Sequence, residues 1–368
     1  MGIVVYERKK KRSSTSTAVP YFCEEIIMNI LSRLPVDSQY NSCRFVCKLW
    51  YNIIYEIFHP RSDRLLIQNP IIAPKSMSLM EFNEGNDPQV GLIRDLNFNS
   101  FGTIRGTCNG LVLIQRYIDD DYKSFHLHVL NPLSRQCISL PPCDLSQLTE
   151  WFGIAFVPSS KEFKVVLAFE FQNEFRCEIL TLGSSSDGRW RTITMPTFSR
   201  LKLYSNELPV SVNGVLHMKT GCRNHLISVD VGDETLHTTK LPNGNVVLKN
   251  MHLIEMGGSL GLIQHFYVLM DVWILEDFRK GEWTKLGRFN IEYPRPMISS
   301  SKRYRVQLIP VASFRNSEVI IFRTFDDYYR GLYSYDIKHQ EMKKMEVELN
   351  DDIVCFPYTV APFFSPQE

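Results

Sequence analysis

The stretch "CNGLVLIQ", residues 108–115, returns as "VNGVLHMK" at 212–219 and as "GGSLGLIQ" at 257–264. Each copy begins at a glycine turn that opens a strand. A second unit recurs beside it. "LHVLNPLSRQCISLP" at 127–141 is echoed by "LISVDVGDETLHTTKLP" at 226–242 and "LYSYDIKHQEMKKMEV" at 332–347. In each, a strand ends at Asn131, Asp230 or Asp336, turns through polar residues and resumes. Asx side chains at such places bond the backbone two residues on. "GRWRTITMP" and "GEWTKLGRF" add a shared element around Trp190 and Trp283. Unit starts near 108, 153, 212, 257 and 318 give an irregular period. It lies in the range of propeller blades, roughly 40–50 residues with loop insertions. Residues 64–105 offer a further blade. The expectation is an all-β region that forms a six-bladed β-propeller, with a pair of sandwiches as its rival.

The residues before 64 read differently. From Glu24, apolar residues fall at Ile26, Ile27, Ile30, Leu31 and Leu34, which predicts one face of an amphipathic helix stopped by Pro35. Glu24 and Glu25 sit where the helix dipole favours negative charge. Cys43, Val46, Cys47, Trp50, Ile53, Ile54 and Ile57 then recur at steps of three and four, which predicts a second helical stripe. On this reading Cys43 and Cys47 are small buried hydrophobes. A zinc site needs four ligands, typically in close pairs, and the stretch "CRFVCKLW" holds two cysteines four apart. The helical unit spans about forty residues, a size that rarely stabilises itself alone. Its surplus of apolar faces therefore calls for burial against the rest of the chain or a partner.

Composition is that of an ordinary globular chain. Of 368 residues, 44% are hydrophobic and 22% charged, and the net charge is +1. That balance argues against a nucleic-acid surface over the whole chain. The most apolar later run, "LIQHFYVLMDVWIL", contains Gln264, His265 and Asp271, so no membrane span is expected. Residues 1–19, with the basic run Arg8–Arg12, read as a solvated tail or a nuclear address, with no secretory signal. Nine cysteines without a paired framework point to a reducing compartment, hence cytoplasm and/or nucleus.

The segment "EEIIMNILSRLPVDS…CRFVCKLWYNII" resembles the F-box of plant F-box proteins. Residues 64–366 resemble the F-box-associated, kelch-like domain through "GTCNGLVLI", "LNPLSRQCISLPP", "FKVV", "DVWILED…WTKL" and "VAPFFSP", taken in that order. The chain departs from the F-box pattern at Phe22-Cys23, where the family has Leu-Pro, and at Gln39-Tyr40, where it has Leu-Leu. The resemblance implies a small all-α N-terminal F-box at 20–60 followed by the propeller at 64–366. It implies that the F-box docks on a Skp-type adaptor and, through it, a cullin, while the propeller holds a protein substrate. The adaptor-binding residues it implies are Ile27, Ile30, Leu31, Leu34, Pro35, Val46, Cys47 and Trp50. Such a chain is the substrate-recognition subunit of a ubiquitin ligase and not itself a catalyst. The alternative is a propeller scaffold or ligand sensor whose F-box no longer recruits a ligase.

A search for catalysis returns no constellation of nucleophile, base and orienter. Asp119–Asp121 reads as a solvated turn, and His126 and His128 alternate along a strand without further ligands. "GSSSDG" at 183–188 lacks a strand-to-helix context. "GGSLG" at 257–261 leads into a strand, which disfavours phosphate binding. The pair His265 and Asp271 reads as a core histidine and a blade-turn aspartate. No metal, cofactor, nucleic acid or membrane partner is expected.

Overall fold

In a computed structural model the described residues are 23–34, scattered positions between 42 and 54, and most of 64–359. Left aside there are the connections 69–74, 83–89, 119–123, 144–149, 184–187, 194–206, 222–224, 243–250, 292–306, 325–329 and 348–352, and a few single positions. The chain divides into two units, residues 1–57 and 58–368.

The first unit contains helix α1 (Glu24–Ser32). Glu24 and Glu25 occupy its first turn, where the exposed amide ends favour carboxylates. The Cys23 carbonyl accepts from the amides of Ile26 and Ile27, and at the other end the amides of Arg33 and Leu34 donate to the carbonyls of Ile30 and Leu31. Leu49, Trp50, Ile53 and Ile54 are also helical. The predicted stripe from Cys43 is shorter than expected. Val46 sits in a bend and Cys47 carries no regular structure, while Cys43 lies in a 3-10 turn, so the stripe is interrupted at 46–47. Cys47 is exposed and Cys43 is half-buried, which corrects the expectation of two buried thiols.

The second unit is built of four-stranded antiparallel sheets, six of them. Strands β1 (Arg64–Gln68), β2 (Lys75–Phe82) and β3 (Val90–Ser100) begin the first sheet. The second holds β4 (Thr103–Cys108), β5 (Leu111–Tyr117), β6 (Phe125–Asn131) and β7 (Gln136–Ser139). Next come β8 (Glu150–Val157), β9 (Glu162–Phe171), β10 (Glu174–Leu182) and β11 (Arg191–Thr192). The fourth is β12 (Val210–Val212), β13 (Val215–Lys219), β14 (His225–Asp230) and β15 (Thr235–Lys240). The fifth is β16 (Met251–Met256), β17 (Ser259–Phe266), β18 (Leu269–Asp277) and β19 (Glu282–Asn290). The sixth is β20 (Leu308–Phe314), β21 (Val319–Thr324), β22 (Gly331–Asp336) and β23 (Glu341–Lys344).

The last strand, β24 (Val354–Pro357), returns to pair with β1, matching Leu65 to Pro357 and Gln68 to Val354. It supplies the innermost strand of the first blade, so the two ends of the domain share one sheet. The six innermost strands touch in a ring: β24 on β4, then β8, β12, β16, β20 and back to β24. Closure of this kind protects the strand edges that would otherwise pair with other chains. A six-bladed propeller is what the repeats predicted, and the sandwich pair is excluded. Phe356 and Tyr358 of the closing segment are buried; Phe363 and Phe364, expected to help complete the blade begun near residue 65, lie outside the described residues.

The repeated motifs turn out to be turns rather than blade starts. Asn109-Gly110, Asn213-Gly214 and Gly257-Gly258 each join a first strand to a second, and all six residues have positive φ, from 43° to 83°. That is the mirror-image two-residue hairpin turn, which Asn-Gly and Gly-Gly adopt with least strain. The Asx reading also holds. Asn131 Oδ1 accepts from the Leu133 amide, Asp230 Oδ1 from Gly232 and Asp233, and Asp336 Oδ1 from His339. Asp277 does the same for Arg279 and Lys280, a fourth copy that the sequence comparison missed. Both shared tryptophans tie neighbouring blades together. Trp190 donates its indole N–H to the Pro141 carbonyl at 3.1 Å, and Trp283 to Lys240 at 3.0 Å.

Apolar layers fill the spaces between blades instead of forming one central core. Trp151, Ala155 and Cys177 of the third blade pack with Leu216, Ile227 and Val229 of the fourth. Ile263 and Val272 of the fifth pack with Ile320, Phe322 and Tyr335 of the sixth. Leu65 and Ile67 of the first pack with Phe314 and Ile321 of the sixth. Alternate side chains on each strand serve opposite neighbours, as the strand period of two requires.

Candidate functional site

Helix α1 splits its apolar side chains by angle. At about 100° per residue, Ile26, Ile30, Leu34, Ile27 and Leu31 fall in that order along one arc. Exposure falls along the same arc. Ile26 is 47% and Ile30 37% exposed, while Ile27 is 2% and Leu31 0%. Leu34 between them is half-buried. Ile53 and Ile54 of the later helical turns are buried. Met28 and Val46 are exposed, Val46 at 61%. Large apolar side chains held in water are costly, at about 25 cal/mol per Å² of apolar surface left unburied.

This arrangement sorts the residues that the sequence singled out. Ile30, Val46 and Cys47 are open to a partner. Leu34 and Trp50 are half-buried. Ile27 and Leu31 are buried within the chain, so they support the helix and offer no surface. Pro35 lies outside the described residues, as do Phe22, Gln39, Tyr40 and the 1–19 tail. Ile26, read from the sequence as part of the apolar face but not among the adaptor-binding residues, stands at the exposed edge of the arc, since a stripe wider than one neighbour can cover leaves its edge exposed.

The propeller has two unlike faces. The turns from first to second strand, and most of those from third to fourth, are short and lie at one end. Each blade-to-blade connection leaves from the opposite end, and the longest are 193–209 and 291–307. Insertions gathered on one face of a repeat fold commonly form its binding face. Strand β1 starts, and β24 stops, at the short-turn end.

At the end with the long connections, an ion pair between buried Lys219 and half-buried Glu207 stands at the mouth of the central channel. Lys219 Nζ donates to Glu207 Oε1 at 2.5 Å and also to the Met251 carbonyl. Burial raises the carboxyl of Glu207 and lowers the ammonium of Lys219 from their usual ranges, each partly offset by the other. Such a pair is weak evidence for stability, but breaking one partner leaves a buried charge. His252 Nδ1 lies 3.7 Å from Glu207, and burial holds His252 down to about 3. His217, bonded to Ser228 Oγ at 2.8 Å, is also held by burial to about 3.

These histidines make stability depend on pH. In the unfolded chain a histidine protonates near 6.5; in the fold these two stay neutral down to about 3. Between those values the unfolded state binds more protons. The stability is complete above pH 6.5 and is lost as pH falls towards 3, by up to about 1.4 kcal/mol per pH unit for each histidine. Urea unfolding of the full chain between pH 7 and pH 5 is expected to show this slope, and His217→Gln to reduce it by about half. A flat profile over that window would contradict it.

The other chemical candidates resolve into structure. Asp271 is no turn residue; it lies mid-strand opposite Arg288, which donates to both its oxygens at 2.7 Å. With Lys285 at 3.0 Å, that pairing draws the Asp271 carboxyl below its usual range, and His265 takes no part in it. The His128 Nδ1 meets Ser139 Oγ at 3.1 Å, and the rings of His126 and His128 are 6.3 Å apart. Gly257-Gly258 turns into strand β17, not a helix. Asp119–Asp121 and most of the 183–188 segment fall outside the described residues. Among the described residues no three His, Cys, Asp or Glu side chains converge to hold a metal, and no helix is long and apolar enough to cross a membrane.

A closed propeller joined to a small helical unit with apolar side chains left outside defines a modular β-propeller protein. Residues 88–364 match the F-box associated beta propeller domain, and residues 21–56 match the F-box domain. The chain therefore belongs to the F-box proteins that carry an associated propeller. One F-box protein of Arabidopsis thaliana is 23% identical over 94% of this chain and 91% of its own length. A second from that plant is 29% identical over 71% of each chain. A third is 24% identical over 73% of this chain and 79% of its own.

Proposed function

We propose that this chain is the substrate-recognition subunit of a Skp–cullin–F-box type ubiquitin ligase, acting in the cytoplasm and/or nucleus. F-box domains bind Skp-type adaptors, and the observation that carries the reading is the exposed edge of the F-box itself. Ile26, Ile30 and Val46 stay in solvent on a unit too small to afford idle apolar surface. An adaptor that covers them supplies the burial the sequence lacks. The propeller then presents its long connections to a protein substrate, and ubiquitin transfer occurs on other subunits. The chain contributes binding and position, not bond-making. Support for this second half is the family membership together with the two unlike faces of the propeller.

Co-expression with a Skp-type adaptor tests the reading. The two proteins are expected to co-purify at one-to-one stoichiometry and to bring a cullin with them from a plant extract. Failure to retain any adaptor would favour the scaffold reading, in which the propeller works without a ligase.

A further inference from the structure

The innermost strands enclose a channel of about 460 Å³. That volume lies in the range of small-molecule sites. Its walls are largely apolar, with Leu208, Ile254, Val311 and Val354 among them. Glu207, Arg323 and Glu255 also line it. Glu207 is held by Lys219, and Arg323 has interactions of its own. Glu255 differs from both, since no cationic side chain stands beside it among the described residues.

Glu255 is the last residue but one of β16, so it stands near the short-turn end of the channel. Its Oε1 accepts the Gly258 amide at 2.6 Å. Its Oε2 has no hydrogen-bond partner and, unlike His252 Nε2 and Ser313 Oγ, is not sealed inside the protein. Burial raises the carboxyl above its usual range, and the Gly258 amide offsets only part of that. A half-buried carboxylate of this kind gains from a cation placed against it. A neutral ligand that covers it removes its remaining water and returns nothing, and an anion is repelled. A hard metal ion needs about six oxygens or more. No three acidic, His or Cys side chains converge among the described residues, so the cation that fits is an organic one.

We infer that the central channel is a binding site for a small organic cation, an ammonium group carried on an apolar body. The ammonium donates to Glu255 Oε2 at the short-turn end, and the body lies along the apolar wall. The carboxylate supplies the preference for positive charge, and the wall supplies burial. The inference stands whether or not the chain recruits a ligase.

The test uses the full chain and three probes of one shape: naphthylmethylamine, a cation at neutral pH, neutral naphthylmethanol and anionic naphthoate. Fluorescence titration is expected to give saturable one-to-one binding of the amine, with a Kd on the order of 10 μM for a ligand so small. The alcohol should bind at least tenfold more weakly, and the naphthoate more weakly still. Glu255→Gln keeps an acceptor for the Gly258 amide, so an unaltered melting curve serves as its folding control. It should weaken the amine at least tenfold and leave the alcohol unchanged, so that the variant no longer distinguishes the two. Val311→Phe, at a half-buried position on the wall, should weaken both probes alike. Failure of the amine to bind, equal binding of amine and alcohol to the wild type, or a preference for the amine that survives Glu255→Gln would each overturn the inference and leave the channel to water.

Discussion

Removing residues 350–368 is expected to yield insoluble or protease-sensitive protein, the largest effect foreseen for any change to this chain. The deletion takes away β24 and with it four pairs in the register with β1, from Leu65–Pro357 to Gln68–Val354. It also removes Tyr358, whose amide bonds the Arg64 carbonyl at 3.0 Å and whose hydroxyl reaches the Gly110 carbonyl at 3.1 Å. Thr107 loses its bond to the Pro357 carbonyl. The first blade would keep three strands, and β1 would present an open edge with its apolar side chains beside it. A single change tests the same point more gently. Phe356→Ala in the buried closing strand should cost about 3–5 kcal/mol, against a typical total of about 5–15 kcal/mol. Urea unfolding monitored by tryptophan fluorescence would measure it. A truncated protein that melts like the full chain would show that the ring closes elsewhere.

Replacing Ile30 and Val46 together by aspartate is expected to abolish adaptor capture. Apolar anchors at an interface cost about 2 kcal/mol or more each when truncated, and charge adds desolvation. Two such losses amount to about a thousandfold in affinity. Both side chains are exposed in the chain, so the fold of the helical unit should survive. Leu31→Ala is the contrasting case. Leu31 is fully buried, and its truncation should cost about 2–5 kcal/mol, enough to unfold so small a unit. Limited proteolysis separates the two: the Ile30, Val46 double variant should resist cleavage before residue 57 and fail to bind, whereas Leu31→Ala should be cut. Wild-type capture by the double variant would place the adaptor on other residues.

The single carboxylates and histidines show why much of the chemistry stayed hidden from sequence. "HFYVLMDVW" places His265 and Asp271 six apart, which invites a catalytic pair. The fold gives Asp271 to Arg288 on the next strand and leaves His265 in the core. Strand pairing decides that outcome, and no local spacing records it. The channel is equally invisible, because it is lined from strands that are distant in sequence, from Gly106 to Pro357.

Sequence by itself determined the elements that depend on local backbone chemistry. Asn109-Gly110 and Asn213-Gly214 demand positive φ, and Asn131, Asp230 and Asp336 cap their own turns, so hairpins had to form there. Their repetition set the blade plan, and the 3.6-residue period of Ile26 to Leu34 set the first helix. Tertiary structure alone decided which face of that helix is covered, leaving Ile26 and Ile30 outside and Ile27 and Leu31 within. It also decided that Val354–Pro357 closes the ring, since pairing with Arg64–Gln68 spans nearly the whole domain. Turns are fixed by neighbours in the chain; burial and closure are fixed by neighbours in space.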